Sequence, residues 1–109
     1  VASEAVPAWL RQAEAERINA GFTYGVVVHK RRNANVSTAR VHLSVREFTR
    51  VRLALRGSGL FSEDATSARG MHEFYGLTLT ARGIDTSCWR FSCSLEKFAW
   101  LLKDMRAWK

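Results

Sequence analysis

The run Arg40-Val41-His42-Leu43-Ser44-Val45-Arg46-Glu47-Phe48-Thr49-Arg50-Val51-Arg52-Leu53-Ala54-Leu55 changes its hydrophobic period partway along. Ser37 to Leu43 reads as a strand, and from Val45 onward Val45, Phe48, Val51 and Leu55 recur at helical spacing. The switch falls at Ser44, with Glu47 three residues on, a Ser-x-x-Glu capping box expected to satisfy two orphan amides at the start of a helix from Val45 to about Arg56. Arg46 and Arg50 stand four apart on another face of that helix and are expected to face solvent.

Fifty residues later the pattern recurs: Arg90-Phe91, Cys93-Ser94-Leu95, Phe98 and Leu101 echo Arg40-Val41, Leu43-Ser44-Val45, Phe48 and Val51. Shared strand-to-helix grammar accounts for the echo at least as well as duplication does. Leu77-Thr78-Leu79-Thr80 alternates, Arg82 to Asp85 can turn, and residues 87–93 alternate again, so a β-hairpin is expected before a last helix capped by Ser94. That helix should bury Leu95, Phe98, Leu101, Leu102 and Met105, leaving Trp100 at the position equivalent to Arg50. Cys88 and Cys93, five apart in such a strand, would lie on opposite faces and could not bridge each other; reduced thiols are expected.

On the N-terminal side, Pro7 suits the first turn of a helix and Gly21 its end, which predicts a helix over 7–20. Thr23 to Arg31 reads as a valine-rich strand joined to Ser37–Leu43 by an Asn33-Ala34-Asn35 turn, antiparallel because the connection is short. Residues 57–72, with glycine, serine and mixed charge, read as a loop. The expected fold is one mixed α/β (α+β) domain over residues 1–109, order αββαββα, with a mostly antiparallel sheet and packed helices.

A chain of 109 residues, 47% hydrophobic and 25% charged, can bury one core. It has no apolar run near the about 18 to 20 residues of a membrane span and no secretory-signal layout, so a soluble, cytoplasmic protein with no membrane partner is expected. Two cysteines without zinc spacing exclude a zinc finger. The chain starts at Val1 rather than Met, compatible with a processed fragment, a trimmed chain or a non-AUG start.

Net charge is +7, and residues 1–56 hold ten Lys and Arg against four Asp and Glu, whereas residues 57–109 hold seven against six. The excess is concentrated in Lys30, Arg31, Arg32, Arg40, Arg46, Arg50, Arg52 and Arg56. Seven of these eight are arginine, whose planar fork suits phosphate, so a polyanion, DNA above all, is the expected partner.

Pro7-Ala8-Trp9-Leu10-Arg11-Gln12-Ala13-Glu14-Ala15-Glu16, then Gly25-Val26-Val27-Val28-His29-Lys30-Arg31-Arg32, then Val41-His42-Leu43-Ser44-Val45-Arg46-Glu47-Phe48, resembles the latter part of small actinobacterial and phage nucleases of the PD-(D/E)XK class, the Holliday-junction-resolvase-like group. The resemblance covers roughly residues 6–56. It implies a Mg²⁺-dependent DNA endonuclease in which a strand carrying Glu-x-Lys precedes the first helix. Val1–Val6 holds only Glu4 and no lysine two residues on, so the resemblance implies a DNA-binding scaffold without its own metal site: a fragment, a split partner completed by another chain or a second copy, or a domain turned to binding.

Lys30, Arg31, Arg32, Arg40, Arg46 and Arg50 are the candidate phosphate contacts; if about four engage, the log–log salt slope approaches roughly −4. A solubilising basic turn is the plainer alternative for Lys30–Arg32. Gln12 matches a helix position where the family can place a polar residue near the active centre, against an ordinary exposed glutamine; Glu14 and Glu16 read as solvated helix charges. Glu63 and Asp64, with Glu73, are the remaining carboxylates that could improvise a catalytic site. No cofactor is expected apart from Mg²⁺ if cleavage is retained. Trp100 could stack a base or meet a partner protein, and the latter fits a rival reading, a small phage- or mobile-element-encoded regulator that binds an acidic protein surface.

Overall fold

The computed structural model describes residues 2–21, 25–30, 33, 35, 38–57, 66–81 and 83–106, with side chains between Val6 and Met105. Its elements run α1 (Ala2–Ala20), β1 (Val27–His29), β2 (Arg40–Ser44), α2 (Val45–Gly57), α3 (Ala68–Tyr75), β3 (Thr78–Thr80) and β4 (Arg90–Ser94), ending in α4 (Leu95–Arg106), with a 3₁₀ turn over Thr86–Cys88. The strands form one sheet in the order β1-β2-β4-β3, and each neighbouring pair is antiparallel.

The centre of the sheet is the β2–β4 pair, where Arg40 opposes Ser94, His42 opposes Ser92 and Ser44 opposes Arg90. Alternation along these strands sends Val41, Leu43, Phe91 and Cys93 to one face. There they form a core with Phe48, Val51 and Leu55 of α2, Met71 and Tyr75 of α3, Leu77, and Phe98, Leu101 and Met105 of α4. Phe48 and Phe91 stack with ring centroids 3.6 Å apart, locking α2 onto β4. Fully burying each such side chain contributes about 1.5–3 kcal/mol.

The opposite face carries His29, Arg40, His42, Arg90 and Ser92 by register. α1 lies against its β1–β2 half. Trp9 sits 5.6 Å from the His29 ring, and Val6 and Leu10 are buried outside the main core. Gly25 lets the chain leaving α1 pass close to it, since a Cβ there would meet the Ala13 carbonyl oxygen at 2.9 Å.

Several boundaries differ from expectation. α1 starts at Ala2, so Pro7 lies inside it, where in an i→i−4 pattern its missing amide costs one bond, that to the Ser3 carbonyl. Of the expected strand Thr23–Arg31 the structure describes residues 25–30, of which Val27–His29 is strand, and the second strand begins at Arg40, with the Thr38 amide donating to the Asn35 carbonyl at 3.0 Å ahead of it. The expected loop over 57–72 contains the start of α3: Ser67 caps it, accepting from the Gly70 amide at 3.1 Å, and Gly76 ends it at φ 66°. The element order is therefore αββααββα. Cys88 belongs to the 3₁₀ turn rather than to a strand, because Asp85 accepts hydrogen bonds from the Ser87 amide and hydroxyl and bends the chain there. Leu102 is 41% exposed, not buried; Leu101 and Met105 fill the core side of α4 instead.

Candidate nucleic-acid interface

The eight cations between Lys30 and Arg56 divide by what they touch. Arg52 donates to the Thr66 carbonyl, and Arg56 donates to the Thr66 hydroxyl at 3.2 Å, so both hold the chain that leads into α3. Arg50 is not solvent-facing as its helix position suggests. It pairs with Glu14 of α1 at 3.1 Å and with Glu47 one helical turn away. Glu47 is 1% exposed and has Arg17 at 3.7 Å and Arg50 beside it, so the second half of the expected capping box serves an ion-pair network instead. The first half forms as expected, with the Glu47 amide donating to the Ser44 hydroxyl at 3.1 Å.

Glu14 is likewise not a solvated helix charge. Arg17 at 2.6 Å and Arg50 hold its carboxyl down at about 2, whereas burial is the largest influence on Glu47 and pushes its carboxyl up against the pull of Arg50. Glu16 remains exposed, accepting from Gln12 at 3.1 Å, so Gln12 lies on the exposed side of α1. Glu63 and Asp64 lie outside the described residues, and Glu73 is exposed on α3 with Arg69 at 3.2 Å.

Lys30, Arg40 and Arg46 are exposed. Arg40 and Arg46 have no carboxylate partner among the described residues. Arg31 and Arg32 lie outside those residues. Lys30 follows His29, which opposes Arg40 across the β1–β2 pair, so the two cations stand at the same end of the sheet. Arg46 opens α2 at the far end of β2, a strand whose rise of about 3.4 Å per residue separates the two ends by roughly 13 Å. The structure thus places Lys30 and Arg40 at one end of the β1–β2 pair and Arg46 at the other, and takes Arg50 into ion pairs.

Sequence reasoning passed over the histidines beside Arg40. His42 is 7% exposed, its Nδ1 2.8 Å from the Ser92 hydroxyl. Burial, followed by the fields of Arg90, His29 and Arg40, lowers its ring to about 4, so it is neutral at pH 7. The strand alternation that puts Arg40, His42, Arg90 and Ser92 on one face was the available signal.

Among the described residues no three His, Cys, Asp or Glu side chains come together to hold a metal. Glu14 and Glu47, the carboxylates that α1 and α2 bring close, are already neutralised by Arg17 and Arg50. This donor set does not fit a divalent ion. Comparison with family models, with curated proteins and with solved structures finds no match to the chain.

Proposed function

We propose that this chain is a DNA-binding domain that grips the phosphate backbone through Lys30, Arg40 and Arg46, joined by Arg31 and Arg32, and that it reads shape or junction geometry rather than base sequence. The observation that carries the reading is that Arg40 and Arg46 are exposed without carboxylate partners among the described residues in a chain of net charge +7. Exposed, unneutralised arginine is what phosphate binding with counterion release requires. The resemblance to resolvase-like nucleases points the same way, while the described carboxylates give no reason to expect the chain to cut by itself.

The test is fluorescence anisotropy with a labelled four-way junction, duplex and single strand across a salt series, with Mg²⁺ in a parallel arm. We expect a log–log slope of roughly −4, which Arg40→Ala and Arg46→Ala each reduce by about one while Arg50→Ala leaves it unchanged. Absence of binding at low salt would sink the proposal. Cleavage with Mg²⁺ that disappears in Glu63→Ala or Asp64→Ala would instead make the chain an endonuclease. The second reading, a regulator binding an acidic protein surface, draws on the exposure of Phe74 and Trp100, and capture of a partner protein that survives nuclease and high salt would favour it.

A further inference from the structure

A cleft of about 330 Å³ opens between α3 and α4, lined by Phe74, Tyr75, Trp100, Lys103 and Asp104. Its volume is within the usual range for sites that take a small organic group. Phe74 and Trp100 are 56% and 48% exposed, two large rings left in water on the walls of one depression. The Lys97 ammonium lies 4.7 Å from the Trp100 ring centroid, and Lys103 adds a second cation to the lining. Aromatic walls beside cations suit a ligand that is flat and apolar at one end and anionic at the other, which describes a nucleotide.

A carboxylate on the same lining narrows the choice. The Tyr75 hydroxyl donates to Asp104 Oδ2 at 2.6 Å, which fixes the carboxylate and leaves Oδ1 with no hydrogen bond among the described residues. An ionised carboxylate only accepts hydrogen bonds. Guanine presents two donors side by side on its pairing edge, N1–H and the N2 amino group. On their pairing edges adenine and cytosine set an acceptor next to their amino group, and thymine flanks its N3–H with two carbonyl oxygens, so on that edge a carboxylate meets one donor beside a lone pair, where guanine offers it two donors. An acidic protein side chain would meet the same repulsion.

We propose that the α3–α4 cleft holds one base of a single-stranded nucleic acid, guanine in preference to the others, stacked on Trp100 and Phe74, with its edge on Asp104 and its phosphates toward Lys97 and Lys103. The proposal rests on the nucleic-acid reading above, in which the backbone contacts ignore base sequence, and adds a base preference confined to single strands on a different surface, so the two can fail separately.

The test is anisotropy of the full chain with a labelled twelve-nucleotide thymidine strand, the same strand with one central guanine, and a duplex of the second. Trp100→Ala is expected to weaken the guanine-containing strand about 10-fold, in line with the roughly 1–3 kcal/mol of base–aromatic stacking, and to leave the duplex unchanged. Asp104→Asn should erase the preference for the guanine strand. Unchanged single-strand binding and base preference in both variants, with duplex binding intact, would overturn this inference and leave the backbone reading standing. Guanine-strand binding lost in Trp100→Ala, in a chain that does not bind duplex at any salt, would do the reverse. Binding of no nucleic acid overturns both, and a protein partner whose capture depends on Trp100 while single-strand binding does not would assign the cleft to that partner.

Discussion

Arg50 and Arg46 share a helix, a charge and a spacing that suggests the same task, yet their surroundings separate them. Arg50 meets Glu14 and the buried Glu47, so it belongs to stability. Arg50→Ala should cost about 2 kcal/mol in urea unfolding, less than the roughly 3–5 kcal/mol of a wholly uncompensated buried charge, because Arg17 stays 3.7 Å from Glu47. Adding Glu47→Gln to that variant should recover most of the loss. His42 makes a second prediction at this scale. Its ring is held near 4 in the fold against 6.5 in the unfolded chain, so on acidification the unfolded chain takes a proton that the folded one refuses. Stability should therefore fall as pH drops from about 6.5 to about 4, by up to about 3 kcal/mol, and level off below. His42→Gln should lack that decline when urea midpoints are compared across the window. Glu14 acts in a separate window. Its depressed carboxyl contributes stability above about 4.5 that is lost as pH falls toward about 2.

At the scale of elements, each helix that follows a central strand begins on a serine. The Glu47 amide bonds Ser44 at 3.1 Å and the Lys97 amide bonds Ser94 at 3.2 Å. Ser44→Ala and Ser94→Ala should each cost about 1 kcal/mol, adding within error in the double variant because the caps share no partner. These helices were legible because cap and apolar stripe agree, and the hairpin was legible from alternation. α3 was not: Gly70 in its middle and the glycine-serine run before it mimic a loop, and only the Ser67 cap and the Met71–Tyr75 spacing betray it. The candidate site was half legible. Charge placement pointed to residues 30–56, but whether an arginine meets solvent, as Arg46 does, or a carboxylate from α1, as Arg50 does, depends on how α1 crosses the fold. No local pattern records that crossing.

At the scale of the molecule, β1-β2-α2 and β3-β4-α4 meet along β2 and β4, and both halves contribute to the core behind those strands. Neither half keeps a closed core alone. Separately made fragments 1–57 and 66–109 should therefore be unfolded by circular dichroism and near-ultraviolet signal, and mixing them should restore the folded spectrum with a midpoint that rises with concentration. The register adds one more consequence. Arg40 opposes Ser94 and Ser44 opposes Arg90, while the sequence echo is offset by fifty residues, so a local dyad relating the two motifs passes between His42 and Ser92. On the dyad of a true homodimer a residue can only face itself; two histidines there would meet ring to ring, and two serines would leave the site underfilled. Because one continuous chain supplies both sides, the axis can carry an imidazole against a hydroxyl, a complementary couple that two identical halves could never present to each other.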